Sequence, residues 1–186
     1  LLLGPINNVV DTAHAEETLV TLIDEGFEDG IPDNWENTGW ILNWYGFPNS
    51  GSNWISASGS GSSIETSILN FGNNTELIFW YAAEDSGNPM SMEVVVDSVV
   101  VWSQTFSNTA YQQATLDLSA YSGEQTVIFN CLTSSFFVEN LDDIIITTYT
   151  DDSTSDSPTD INDNGDLDDN GGNTGGDNGG VLPPPE

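Results

Sequence analysis

Two adjacent carboxylates, Asp142 and Asp143, stand directly in front of an apolar run in VENLDDIIITTY, residues 138–149. Carboxylates so close to a hydrophobic strand need a partner, because taking an unpaired anion out of water is expensive. The usual partner is lysine or arginine, and this 186-residue chain contains neither. It has 30 acidic residues, a single histidine (His14) and a formal net charge of −30. What remains is coordination of solvent cations by oxygen, divalent cations above all. Calcium suits such groups, since it accepts about six to eight hard oxygen ligands in flexible geometry. Strand alternation places Asp142 in phase with Ile144 and Ile146, the expected inward face, and so favours it over Asp143. The plainer alternative is a solvated pair at the start of a strand.

A second set of oxygen ligands lies in DINDNGDLDDNGG. Asp160, Asn162, Asn164, Gly165, Asp166 and Asp168 occupy positions 1, 3, 5, 6, 7 and 9 of an EF-hand-like calcium loop. Position 12, which should carry a bidentate acid, is Gly171. The match is partial, and a solvated acidic linker is the competing reading. The 6 tryptophans and 5 tyrosines raise a different chemistry, the stacking of sugars on exposed rings. Trp44, Tyr45 and Trp102 are the surface candidates, whereas Trp80, in an expected central strand, is expected to be packed. Asn73-Asn74-Thr75 is a glycosylation sequon.

Several functions are excluded or left without support. With no basic residue, nothing can replace the counterions of a nucleic acid or an anionic membrane. No lysine is available for Schiff-base or isopeptide chemistry. A Ser-His-Asp triad would have to use His14, which lies outside the expected domain, and no second histidine exists for a zinc site. No enzyme activity is assigned. Cys131 is alone, so no intrachain disulfide can form, and its phase with Val127 and Phe129 points it into a core.

The elements that would position these groups are strands. Residues 18–149 carry short runs rich in Val, Ile, Thr and aromatic residues, divided by Gly, Asn, Ser and Asp clusters. TLVTLI, SSIETSILN, TELIFWYAA, SMEVVV, SVVVWSQTF, QQATLDLS, TVIFNCL and IIITTY read as strands of an all-β sandwich or barrel. MEVVVDSVVVW reads as a hairpin turning at Asp97-Ser98, because short polar residues tolerate positive φ. No long helical period occurs. Residues 1–17 form an arm whose apolar start, LLLGPINNVV, could add as a strand to a neighbouring subunit. Its Ala13-His14-Ala15 resembles a processing site, but a basic n-region is lacking and Gly4-Pro5 breaks the apolar stretch; the expectation of secretion rests instead on the Asn, Gly, Ser and Thr abundance, the sequon and the acidic tail. Residues 150–186 hold 10 of the 30 acids and no aromatic residue. They read as an acidic low-complexity linker, because so little apolar surface cannot offset the entropy of ordering.

GFEDGIPDNWENTGW, TELIFWYAA, ATLDLSAYSGEQTVIF and VENLDDIIIT, in this order, resemble the cleaved-adhesin and choice-of-anchor J domains of microbial surface proteins. These are jelly-roll sandwiches related to MAM and galactose-binding-like modules, and the likeness covers about residues 22–148. It implies a jelly-roll β-sandwich of two antiparallel sheets, an extracellular location, and a non-enzymatic role in adhesion or as a subunit of a surface filament. The alternative is a carbohydrate-binding module of a larger secreted protein. The resemblance also implies a structural Ca2+ joining Glu28 to Asp142 or Asp143, with Asp29 or Asp24 completing the shell.

Overall fold

The computed structural model describes residues 16–43, 46–133 and 139–151. All regular elements among them are strands. In chain order they are β1 (Glu17–Glu25), β2 (Glu36–Thr38), β3 (Trp40–Leu42), β4 (Ile55–Ala57), β5 (Ser63–Glu65), β6 (Leu69–Phe71) and β7 (Asn73–Ala83). There follow β8 (Met90–Val96), β9 (Val99–Phe106), β10 (Gln112–Asp117), β11 (Gly123–Gln125), β12 (Val127–Cys131) and β13 (Glu139–Asp151). One sheet runs β10-β7-β13-β4-β3, with β1 also pairing with β13, and the other runs β2-β5-β12-β8-β9. A small third pair is β11-β6. This is the expected antiparallel jelly-roll sandwich. No helix among the described residues is long and apolar enough to cross a membrane.

Alternation builds the core. In β7, Leu77, Phe79 and Tyr81 face inward while Glu76, Ile78 and Trp80 face out. Opposite them stand Met92, Val94 and Val96 of β8 and Val127, Phe129 and Cys131 of β12, each at most 1% exposed. Cys131 is thus the small core residue its phase indicates. Phe79 holds the two layers together: its ring meets Phe129 and Trp102 edge-on, each at 5.2 Å between centroids. Such aromatic pairs contribute roughly 0.5–1.5 kcal/mol each beyond their burial. Trp102 also packs on Tyr81 at 5.1 Å. The structure therefore corrects the surface assignment of Trp102: it sits opposite Val94, on the inner face of its strand.

β13 is the central strand. Its first part lies between β7 and β4, and its later part between β7 and β1, so it joins opening and closing segments of the chain. The alternation argument for Asp142 fails at this strand. Leu141 pairs with Tyr81 and Asp142 with Trp80, but the next pairs are Ile145 with Ile78 and Ile146 with Leu77. One extra residue is inserted, a β-bulge with Asp143 at φ 47°. Leu141, Ile144 and Ile146 face the core, and Asp142 lies on the opposite face beside Trp80. It is nevertheless fully buried, so something other than the core covers it.

The β8-β9 hairpin has the expected two-residue turn, with Asp97 and Ser98 at φ 49° and 63° and Val96 paired with Val99. Both φ values are positive, as a type I′ turn requires. Replacing Asp97-Ser98 with Asn-Gly should stabilise the fold by about 1 kcal/mol, because glycine removes the left-handed penalty. An unchanged midpoint in urea would contradict this assignment of turn strain.

Candidate functional site

The cover over Asp142 is the connection between β3 and β4, of which residues 43 and 46–54 are described. Its ends are tied together: Asn43 N donates to Trp54 O at 2.9 Å and Trp54 N to Asn43 Oδ1 at 2.9 Å. Gly46 lies so close to Asn140 that a Cβ there would collide with its amide. Beneath it, Ser56 Oγ donates to Asn140 Oδ1 at 2.7 Å, and both residues are buried on the same outer face as Asp142.

Three carboxylates are held against this loop. Asp142 Oδ2 accepts from Asn49 N at 2.7 Å and Ser50 N at 3.4 Å, while its Oδ1 accepts from Asp143 N at 2.9 Å. Asp143, turned outward by the bulge, accepts from Asn49 Nδ2 and Ser50 Oγ, both at 2.7 Å. Glu28 follows the turn at Phe27 and reaches the far side of the loop, where its Oε1 accepts from Ser52 N at 2.7 Å and Asn53 N at 2.9 Å. Gly51, at φ +57°, allows this approach; a Cβ there would overlap the Glu28 carboxylate. The opening and closing segments thus meet through one loop. No acidic residue occurs between Glu36 and Glu65, so the loop brings donors without adding charge.

The same kind of donor has opposite consequences on the two sides of the loop. Glu28 is exposed, and the N–H groups of Ser52 and Asn53 dominate, lowering its pKa. For Asp142 desolvation wins over its N–H bonds, and with the neighbouring Asp143 charge it raises the pKa to about 6. Tyr111 adjoins this cluster. Its phenol is buried without a hydrogen-bond partner among the described residues, and its pKa is raised by burial and then by Asp142 and Asp143. The exposed ring of Phe47 stacks edge-on against Tyr111, at 6.1 Å.

Of the expected ligands, Glu28, Asp142 and Asp143 come together on the loop. Asp24 and Asp29 do not. They are exposed and lie beside Glu25, whose pKa is raised first by burial and then by their charges. The cluster is rich in the hard oxygen donors a calcium ion requires, but its oxygens face the N–H and O–H donors of the loop. Among the described residues no three such groups are close enough to hold a metal ion. Trp44, Tyr45 and the tail residues Asp160, Asn162, Asn164, Asp166 and Asp168 lie outside the described residues. Asn73 of the sequon is exposed at the start of β7, while Thr75 is buried and shares a 2.7 Å hydrogen bond with Thr148.

The donors Asn49, Ser50, Ser52 and Asn53 were missed in the sequence. Their signal was the long uncharged, Asn/Ser/Gly-rich run facing an excess of acids. Also missed was Glu139, fully buried on the core face. One oxygen accepts from Thr133 Oγ1 at 2.5 Å and the other has no partner among the described residues. Desolvation raises its pKa, and the nearby Cys131 thiol is raised by its own burial and by Glu139.

Neither a protein-family model nor a curated protein matches the chain. Solved structures do. The K3 cleaved adhesin domain of Lys-gingipain from Porphyromonas gingivalis is 18% identical, with a TM-score of 0.59 over 70% of this chain and 99% of that one. The K1 domain of the same protein is 20% identical, with a TM-score of 0.58 over 70% and 98%. A CBM22-1 xylan-binding domain from Paenibacillus barcinonensis is 12% identical, with a TM-score of 0.55 over 71% and 96%. The chain therefore shares the jelly-roll fold of these domains.

Asp142 and Glu139 give metal-free folding an inverted pH dependence. Both bind protons more tightly when folded, so the stability they favour is fully present below their unfolded pKa values and is lost as pH rises through the folded ones. For Asp142 that window runs from 3.8 to about 6 and is worth at most on the order of 3 kcal/mol. Denaturant midpoints in chelator should fall from pH 4 to pH 7, and the fall should be smaller in Asp142→Asn. Midpoints that rise across this range would contradict the desolvation argument.

Proposed function

We propose that this is a non-catalytic, extracellular domain of a surface protein, acting in adhesion or as a structural subunit, and stabilised by Ca2+. The observation that carries the calcium reading is the gathering of Glu28, Asp142 and Asp143 on one uncharged loop, in a chain with no basic side chain but His14. Glu28, Asp142 and Asp143, too far apart here to hold an ion together, would have to draw closer around it, and the ion would supply the positive charge that no lysine or arginine provides. The Asn49–Asn53 loop would then exchange some N–H contacts for oxygen ligation, and the ion would hold the opening segment to the closing strand. Asp24 and Asp29 sit with Glu25 and are not favoured as ligands. The fold shared with cleaved adhesin domains supports the adhesive reading. Copies of this chain, joined by addition of the N-terminal arm as a strand, are the partners the structural-subunit reading calls for.

Melting with calcium and with EDTA tests the metal. At about a hundred times its dissociation constant, calcium should add roughly 2.7 kcal/mol to stability, and Glu28→Gln and Asp142→Asn should each abolish most of the response. A wild-type melting temperature that EDTA leaves unchanged would remove the site.

A glycan-binding module is the second reading, favoured by the shared fold with a xylan-binding domain. Trp102 no longer qualifies as a platform, which leaves Trp44 and Tyr45 as the candidate rings. Binding on a glycan array that is lost in Trp44→Ala or Tyr45→Ala would select this reading, and a blank array would select the adhesive or structural one.

A further inference from the structure

Strand β1 is attached to the sandwich along one side. It pairs with β13 and with no other strand among the described residues. Of its 9 residues one, Ile23, is buried, and Leu22 packs partly against the core. β13 is held far more firmly. It lies between β1 and β7, and its Ile144, Ile146 and Thr148 are wholly buried. The two strands are antiparallel, and their register fixes where the chain enters and leaves them. Glu17, the first residue of β1, pairs with Asp151, the last of β13, and at the other end Glu25 pairs with Ile144. Just past that second end the chain is anchored. Phe27 is buried with its ring edge-on to Trp35 at 6.2 Å, and Glu28 accepts from Ser52 N and Asn53 N. Asp142 and Asp143, immediately before Ile144, are bound to the same loop.

We propose that β1 is a strap that tension peels from β13, and that the carboxylate-bound loop is its stop. Pulling on the chain before Glu17 and after Asp151 draws two neighbouring positions apart, across the strands. Antiparallel ladder bonds lie in that direction, so they are loaded one pair at a time, from Glu17–Asp151 inward. When peeling reaches Phe27 and Glu28, the geometry changes. The two points under load then stand at opposite ends of the paired stretch, and tension runs along β13. Its pairs with β7, from Ile145–Ile78 to Tyr149–Asn73, now share the load instead of breaking in turn. An easy opening is thus followed by a firm hold. The use of this device rests on the adhesive reading, in which the domain bears tension, whereas its mechanics rest on the register alone.

An optical trap holding the full chain by its two ends, in EDTA and without ligand, tests the peeling apart from both calcium and adhesion. The expected record is a small reversible step before the main unfolding, at a force several-fold lower. The 9 freed residues, with the shift of load to the far end of the pairing, make that step roughly 50 Å. Ile23→Ala should speed the small step by about tenfold or more at fixed force and leave the main step within about twofold. Glu28→Gln, which weakens the stop, should lengthen the small step without changing the force at which it begins. A single all-or-none event in the wild-type chain would overturn the proposal, as would a small step that Ile23→Ala leaves unaltered. A step of the same length in Glu28→Gln would overturn the assignment of the loop as the stop.

Discussion

The constraint on which this fold depends is the absence of an internal cation. Every carboxylate the chain brings near its hydrophobic layers must be met by N–H and O–H groups, be protonated, or draw an ion from solvent. The β3-β4 connection answers the first need. Hydrogen bonds to a carboxylate are roughly twice as strong as neutral ones, and the loop supplies them from backbone and short polar side chains without charge of its own. Only where water also reaches the carboxylate, at Glu28, do these bonds settle its ionisation. At Asp142 burial outweighs three N–H contacts.

Burial on a sheet face has two sources, and the distinction matters here. Ile144 and Ile146 are buried by the opposite sheet, while Asp142, Asn140 and Ser56 are buried by a loop laid over the outer face. A polar layer between sheet and loop can exchange partners at little cost to the core. It contrasts with the interior of the sandwich, which is apolar and aromatic. Glu139 is the exception, a carboxyl group on the core face itself.

Much of this was legible before any coordinates. Alternating Val, Ile and aromatic residues reveal β7, β8, β9 and β12, and Asp97-Ser98 marks its hairpin, because period 2 and positive φ are local properties. Glu28, Asp142 and Asp143, which meet on one loop, could be named together from motifs that resemble those of cleaved-adhesin domains. What escaped was non-local. A single extra residue at Asp143 reverses the face of everything before it, so the phase argument favoured Asp142 for the wrong reason. The strands β2, β3, β4 and β11, 3 residues each, are too short to show a period. Trp102 looked like a surface ring because its partners, Phe79 and Tyr81, come from the other sheet.

The claim that carboxylates and loop amides hold each other in place is tested most directly by amide hydrogen exchange at Asn49, Ser52 and Asn53. In metal-free protein these amides should be protected by about a hundredfold or more over free peptide, and Glu28→Gln should lower protection at Ser52 and Asn53 while sparing Asn49. Exchange at peptide rates for all three amides in the wild-type protein would contradict the account.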